Sequence, residues 1–281
     1  MINYNFFQKI LHDLVFKLQI INTSLYELEK FLYLKKSVNY KNNIHVFISG
    51  MPRSGTTSLL NFIYSSNIFG SLKYENMPFL LSPNLLKIFN KNSFIKKRER
   101  LHSDGIYYDI SSPESFDEVF FENFKGKFDI EFINYVNLIL LSEKKSRYIS
   151  KNNLSYKRIE SISANLPNSI FLIPIRHPYQ TANSLLNQHI NFSRMQKKND
   201  FILRYMNYLG HNEFGLNHKF WNKPKQFQDV NSVNYWVEQW FLFYKDIFTK
   251  FKFKKNCYFI IYENLEKKEY IDRLCNTLNI T

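Results

Sequence analysis

Apolar and polar positions follow two rhythms along this chain, and the change from one to the other marks out its elements. Over residues 1–36 the side chains Phe7, Leu11, Leu14, Leu18, Ile21, Leu25, Leu28 and Leu32 recur at steps of 4 and 3, a heptad stripe down one helical face. Asn22-Thr23-Ser24 offers a break in it, with Ser24 and Glu27 as a capping box for a second helix. Later the rhythm becomes continuous. Val46-Phe47-Ile48, Ile170 to Ile175 and Cys257 to Ile261 are short apolar runs bounded by polar or turn-forming residues, the pattern of buried parallel strands. Arg147 to Lys151 predicts a further short strand. Helices are predicted from Leu59, over Ser155–Leu166, from Pro178 to His189, and along the stripe Trp236, Val237, Trp240, Phe241 and Tyr244. Ser112-Pro113-Glu114 reads as the cap and first turn of a helix carrying Phe116, Val119 and Phe120. Residues 191–230 are polar and predict loops. Strands alternating with helices predict an α/β fold, a P-loop-like parallel sheet with helices on both faces. The polar connector Ser37–Asn43 separates an N-terminal helical extension (residues 1–40) from that domain (residues 41–281).

The most informative stretch joins the first apolar run to the first helix after it: Ser49-Gly50-Met51-Pro52-Arg53-Ser54-Gly55-Thr56-Thr57-Ser58. A strand, a glycine-bearing loop and a helix start aim backbone N–H groups and the positive end of a helix dipole at one spot, which suits a phosphate. The Gly50–Gly55 spacing is that of a nucleotide P-loop, but Thr56 stands where such a loop carries its lysine, and Arg53 is the loop's cation. An NTPase needs that lysine and a metal ligand behind it. The loop therefore keeps its cradle and hydroxyls without the triphosphate machinery. Only 7 glycines occur in the chain, so two flanking one loop argues for a purpose.

Pro52-Arg53-Ser54-Gly55-Thr56-Thr57 closely resembles the 5′-phosphosulfate loop of sulfotransferases that use 3′-phosphoadenosine-5′-phosphosulfate (PAPS). The resemblance extends along the chain. Arg176 ends a predicted strand and Ser184 lies eight positions on, in the following helix, as in the 3′-phosphate motif of that family; an arginine fork and a hydroxyl suit a phosphate. Lys151, 25 residues before Arg176, matches a lysine of the tyrosylprotein sulfotransferases. Tyr262, in Tyr262-Glu263-Asn264-Leu265, matches a tyrosine near the adenine. Tyr74-x-x-Met77-Pro78-Phe79-x-Leu81-x-Pro83 is similar to bacterial members.

The resemblance implies transfer of a sulfuryl group from PAPS to a hydroxyl or amine by in-line displacement, without a metal. Residues 52–58 would hold the 5′-phosphosulfate, Arg176 and Ser184 the 3′-phosphate, and Tyr262 the base. Arg53 and Lys151 would stabilise charge on the transferring group and the leaving phosphate. Glu75 occupies the place of the catalytic base of tyrosylprotein sulfotransferases. His102, matched to neutral pH, and Asp104 beside it are the other candidate bases.

Composition narrows the partners. The formal charge is +14 and the pI about 9.5, which favours anionic ligands. With 28 Phe and 19 Tyr the chain is globular. Two cysteines, Cys257 and Cys275, make no disulfide framework, and the N-terminus carries no secretory pattern, so a cytoplasmic setting is expected. No apolar run is long enough to span a bilayer. The expected acceptor is a carbohydrate, lipid or peptide; nucleic acid is not an expected partner. The N-terminal stripe leaves open packing on its own domain, a homodimer or peripheral membrane association. Lys96-Lys97-Arg98-Glu99-Arg100 reads as a solvated basic helix end. His211, Glu213 and His218 lack a fixed metal-ligand spacing and read better as part of an acceptor-site lid. Two other readings stand beside the transferase: a P-loop kinase or NTPase, and a basic non-enzymatic module binding nucleic acid or a membrane.

Overall fold

The computed structural model describes residues 4–87, 97–102, 105–114, 116–125 and 128–280. In chain order the elements are α1 (Phe6–Lys17), α2 (Gln19–Tyr33), β1 (Val46–Ile48), α3 (Thr56–Tyr64), β2 (Phe69–Gly70), α4 (Pro83–Lys87), β3 (Arg98–Glu99) and β4 (Tyr107–Tyr108). There follow α5 (Glu118–Asn123), α6 (Phe128–Glu143), β5 (Arg147–Lys151), α7 (Ile159–Asn165), β6 (Ile170–Ile175), α8 (Pro178–Lys198), α9 (Asp200–Tyr208), α10 (Val233–Phe251), β7 (Cys257–Ile261) and α11 (Lys268–Leu278). The fold is α/β with parallel strands. Two compact units divide it: Met1–His45 with Ile63–Ser150 and Glu160–Asn168, and Val46–Phe62 with Lys151–Ile159 and Ser169–Thr281.

In the first unit β2 pairs parallel with β5 (Phe69↔Arg147), and β3 pairs antiparallel with β4. Its core is aromatic: Phe120 stacks on Tyr135 at 4.5 Å between ring centroids, and Tyr26 packs on Phe124 at 4.9 Å. In the second unit β1 pairs parallel with β6 and β6 with β7, and α8 packs along α10. β1 and most of β6 are buried, as their continuous apolar sequences require.

The N-terminal segment is helical but breaks at Leu18, not at Asn22–Ser24. Asn5 caps α1 in a capping box with Gln8, and Ser24 lies inside α2. The heptad leucines are not the anchors: Phe7, Leu11, Leu14, Leu18, Leu28 and Leu32 are all exposed. The buried face carries His12, Val15, Asn22, Tyr26 and Glu29, and polar partners explain the choice. Tyr26 Oη donates to the Glu131 carbonyl at 3.0 Å, and the Glu29 carboxylate accepts the Asn84 and Leu85 N–H groups at 2.9 Å each. A periodicity count sees only apolar residues and cannot register such anchors.

Three other expectations are corrected. The helix expected at Ser112-Pro113-Glu114 starts at Glu118, because the Ser112 hydroxyl is used locally, accepting the Asp109 N–H and bonding its carboxylate at 3.0 Å each. Residues 191–230 are not all loop. α8 runs on to Lys198 with Leu185, Gln188, His189, Phe192 and Gln196 along its buried face, and α9 follows, capped by Asn199. Two glutamines on a buried face conceal the helix from a polarity reading; Gln196 Oε1 accepts the Leu216 N–H at 2.7 Å. The basic run includes Lys96, outside the described residues; Arg98 and Glu99 form β3, and Arg100 is buried against Glu114 at 3.4 Å. No helix among the described residues is long and apolar enough to cross a membrane.

Candidate active site

The parallel registers in the second unit bring the carboxyl ends of β1, β6 and β7 to one side, and each strand hands on to a site residue predicted from the sequence. β1 is followed by the loop, which is tight. The Ser54 N–H and Oγ both donate to the Met51 carbonyl, at 3.3 and 2.6 Å. Pro52, Ser54, Thr56 and Thr57 are buried, and Ser58 is exposed in the first turn of α3. N–H groups in that turn have no partner within the helix itself, so they are the natural donors to an anion.

Two loop residues take the left-handed conformation, Arg53 (φ 70°) and Gly55 (φ 91°). At Gly55 glycine is required twice over: a Cβ there would also lie 2.1 Å from the ring of Tyr262. Arg53 Nε donates to Ser184 Oγ on α8 at 2.9 Å, so residues predicted for opposite ends of the donor share a hydrogen bond.

Arg176 follows β6, and its guanidinium lies 5.0 Å from the centre of the Tyr262 ring. Its Nε is buried and has no hydrogen-bond partner among the described residues. Its carbonyl accepts Trp240 Nε1–H at 3.1 Å, and the His177 N–H donates to the Glu263 carboxylate at 2.8 Å, lacing the ends of β6 and β7. Between these elements lies a cleft of about 460 Å³, lined among others by Ser58, Phe62, Arg176, Gln180, Tyr262 and Ile271. That volume fits a nucleotide-sized ligand. An unsatisfied buried guanidinium nitrogen is costly unless something fills its bond. Here an anion would fill it.

Lys151, the last residue of β5, is buried. The turn after it is stitched to the base of the loop: the Asn152 N–H donates to the Ile48 carbonyl at 3.0 Å, and the Tyr156 N–H to Ser49 Oγ at 2.8 Å. Glu75 and His102 belong to the first unit. The Glu75 carboxylate is held by Lys73 at 2.7 Å, and Lys73 also pairs with Glu143 at 3.0 Å; His102 sits in a turn. Asp104 lies outside the described residues. His211, Glu213 and His218 do not converge as ligands, and no group of three or more His, Cys, Asp or Glu among the described residues is placed to hold a metal ion. His218 Nε2 instead meets the Tyr235 hydroxyl at 2.7 Å.

The pattern that defines the sulfotransferase family matches residues 45–281, the whole span that carries this site. The chain is a sulfotransferase-family protein. Its chemistry is accordingly sulfuryl transfer, and the transferase class predicted from the loop stands. Among solved structures, sulfotransferase STF1 from Mycobacterium tuberculosis H37Rv is similar in fold, with a TM-score of 0.54 at 10% identity over 94% of this chain and 74% of that one. Sulfotransferase STF9 from Mycobacterium avium is a looser likeness, with a TM-score of 0.49 at 12% identity over 100% of this chain and 75% of that one. At such identities the likeness is one of fold alone. No curated protein matches the chain. For this sulfotransferase, spacing did not single out Phe62, Gln180 or Glu263. Glu263 could be suspected only as the neighbour of Tyr262, and its bond to the His177 N–H depends on β7 lying beside β6.

Proposed function

We propose that this sulfotransferase takes its sulfuryl group from PAPS and passes it to a hydroxyl or amine of a carbohydrate, lipid or peptide. The observation that carries the reading is the cleft in which Ser58 at the start of α3, Arg176 with its unpartnered Nε, and Tyr262 face one volume. A nucleotide bearing phosphates at both its 5′ and 3′ positions meets that donor set. Residues 52–58 would cradle the 5′-phosphosulfate, Arg176 and Ser184 would take the 3′-phosphate, and the Tyr262 ring would lie along the base. Arg53 and Lys151 would stabilise the negative charge that gathers on the leaving phosphate as the sulfur–oxygen bond breaks. PAPS supplies the activated sulfuryl group; the chain's part is to align it, shield it and remove the acceptor's proton. Both cysteines are free, which supports a reducing, cytoplasmic setting.

The kinase reading is disfavoured by Thr56 at the position of the P-loop lysine. Labelled sulfate from PAPS, offered to a panel of sugars, lipids and tyrosyl peptides in EDTA, is expected to appear on at least one acceptor. Phosphoryl transfer from ATP that EDTA abolishes and Mg²⁺ restores would overturn the assignment.

A further inference from the structure

The cleft accounts for the donor and leaves open which group takes the acceptor's proton. In-line displacement sets a condition: the attacking oxygen approaches sulfur from the side opposite the leaving phosphate oxygen. The nucleotide cleft is built from α3 and the ends of β6 and β7. β1 pairs with β6 along one edge, where the Ser49 N–H donates to the Leu172 carbonyl at 2.9 Å. The Ile48 carbonyl points to the other edge and accepts the Asn152 N–H. The attacking side is therefore the side of the Lys151–Tyr156 turn.

Against that turn stands a polar cluster. Asn153 Nδ2 donates to Glu213 Oε1 at 2.9 Å, and His211 Nδ1 lies 3.5 Å from the same oxygen. Glu213 is buried, whereas His211 keeps solvent access. Burial alone would raise the Glu213 carboxyl. Once His211 is protonated, its charge, with the Asn153 amide, outweighs burial and holds the carboxyl at about 2, so Glu213 is an ionised partner for the imidazolium that the step produces. A buried carboxylate 3.5 Å from Nδ1 orients that edge of the ring toward itself and leaves the other nitrogen to accept a proton. By contrast, the Glu75 carboxylate is engaged by Lys73.

From this geometry we infer that His211, oriented by Glu213, is the general base of the reaction. The inference rests on the sulfotransferase reading above. In the step, the acceptor oxygen bonds to sulfur while its proton passes to His211 Nε2. The bond from sulfur to the bridging oxygen breaks, and its electron pair leaves with the nucleotide phosphate. Glu213 is a positioning residue and remains ionised. The Lys151 ammonium, two residues before Asn153, answers charge on the oxygens of the transferring group.

The test compares wild type, His211→Asn, His211→Gln, Glu213→Gln and Glu75→Gln. Calorimetry with 3′-phosphoadenosine-5′-phosphate (PAP) is run beside turnover, using an alcohol from the panel of sugars and lipids that takes up label with wild type, and 4-nitrophenol above neutral pH, where it is largely ionised. The His211 variants are expected to lower kcat with the alcohol by about 10²–10⁴-fold, while PAP affinity stays within about twofold. The deficit should shrink at least about tenfold with the nitrophenolate, which has no proton to give. Glu213→Gln should fall between, and Glu75→Gln should stay near wild type. His211 variants near wild-type kcat, an equal deficit with both acceptors, or a loss that falls on Glu75→Gln instead would overturn the inference. Failure of wild type itself to bind PAP would count against the donor reading and not against the base alone.

Discussion

Gly55→Ala is expected to weaken binding of PAP by at least about 100-fold. Two independent costs meet at this position. Alanine at φ 91° is strained by roughly 1 kcal/mol or more. Its Cβ would also stand 2.1 and 2.3 Å from two carbons of the Tyr262 ring, too close for any rotamer adjustment of alanine. The ring must leave, taking with it one wall of the cleft and its contact with the Arg176 guanidinium at 5.0 Å. Loss of a stacked aromatic, a displaced guanidinium and a distorted anion loop together exceed the 2.7 kcal/mol that a 100-fold change represents. The mechanism can be separated from general damage by a double-mutant cycle with Tyr262→Ala. With the ring gone only the backbone strain remains, so Gly55→Ala should cost much less in that background. Additive losses would show that the ring is not the obstacle.

Arg53→Gly is expected to lower kcat by about 10²–10³-fold without lowering the melting temperature. Arg53 holds φ 70°, a conformation that a non-glycine residue takes at some cost and that glycine takes freely. If the arginine were there for the fold, glycine would be the better residue. Keeping a strained arginine makes sense if its guanidinium is wanted at the loop, where it donates to Ser184 at 2.9 Å and would face the transferring group. Arg53→Lys keeps the charge but loses the planar fork, and should recover only part of the rate. A glycine variant with wild-type turnover would reduce Arg53 to a surface cation.

The loop and strand ends around the cleft were legible in the sequence because each of these parts is local. A glycine-bearing loop before a helix, an arginine at a strand end with a serine eight residues on, and a tyrosine closing another strand each announce themselves within a dozen residues. Parallel pairing then brings the three ends together without further information. What could not be read depends on partners distant in the chain. Tyr26 and Glu29 anchor α2 through Glu131 and Asn84, which lie 105 and 55 residues further along the chain respectively, so the conspicuous leucine stripe pointed to a different face. Gln188 and Gln196 disguised the second half of α8, since glutamine counts as polar wherever its amide is satisfied. The pairing of Asn153 with Glu213 spans 60 residues, and from composition alone the 211–218 segment showed only two histidines and a glutamate with no regular spacing.

The central claim is that the cleft recognises a nucleotide at both its 5′ and 3′ phosphates. Calorimetric titration of the protein with PAP and with 5′-AMP, under identical salt, measures this directly. The two ligands differ only in the 3′-phosphate, which Arg176 and Ser184 are proposed to hold. One charge-assisted hydrogen bond contributes about 1.5–3 kcal/mol, so PAP should bind at least about tenfold more tightly. Equal affinity for PAP and 5′-AMP would contradict the account.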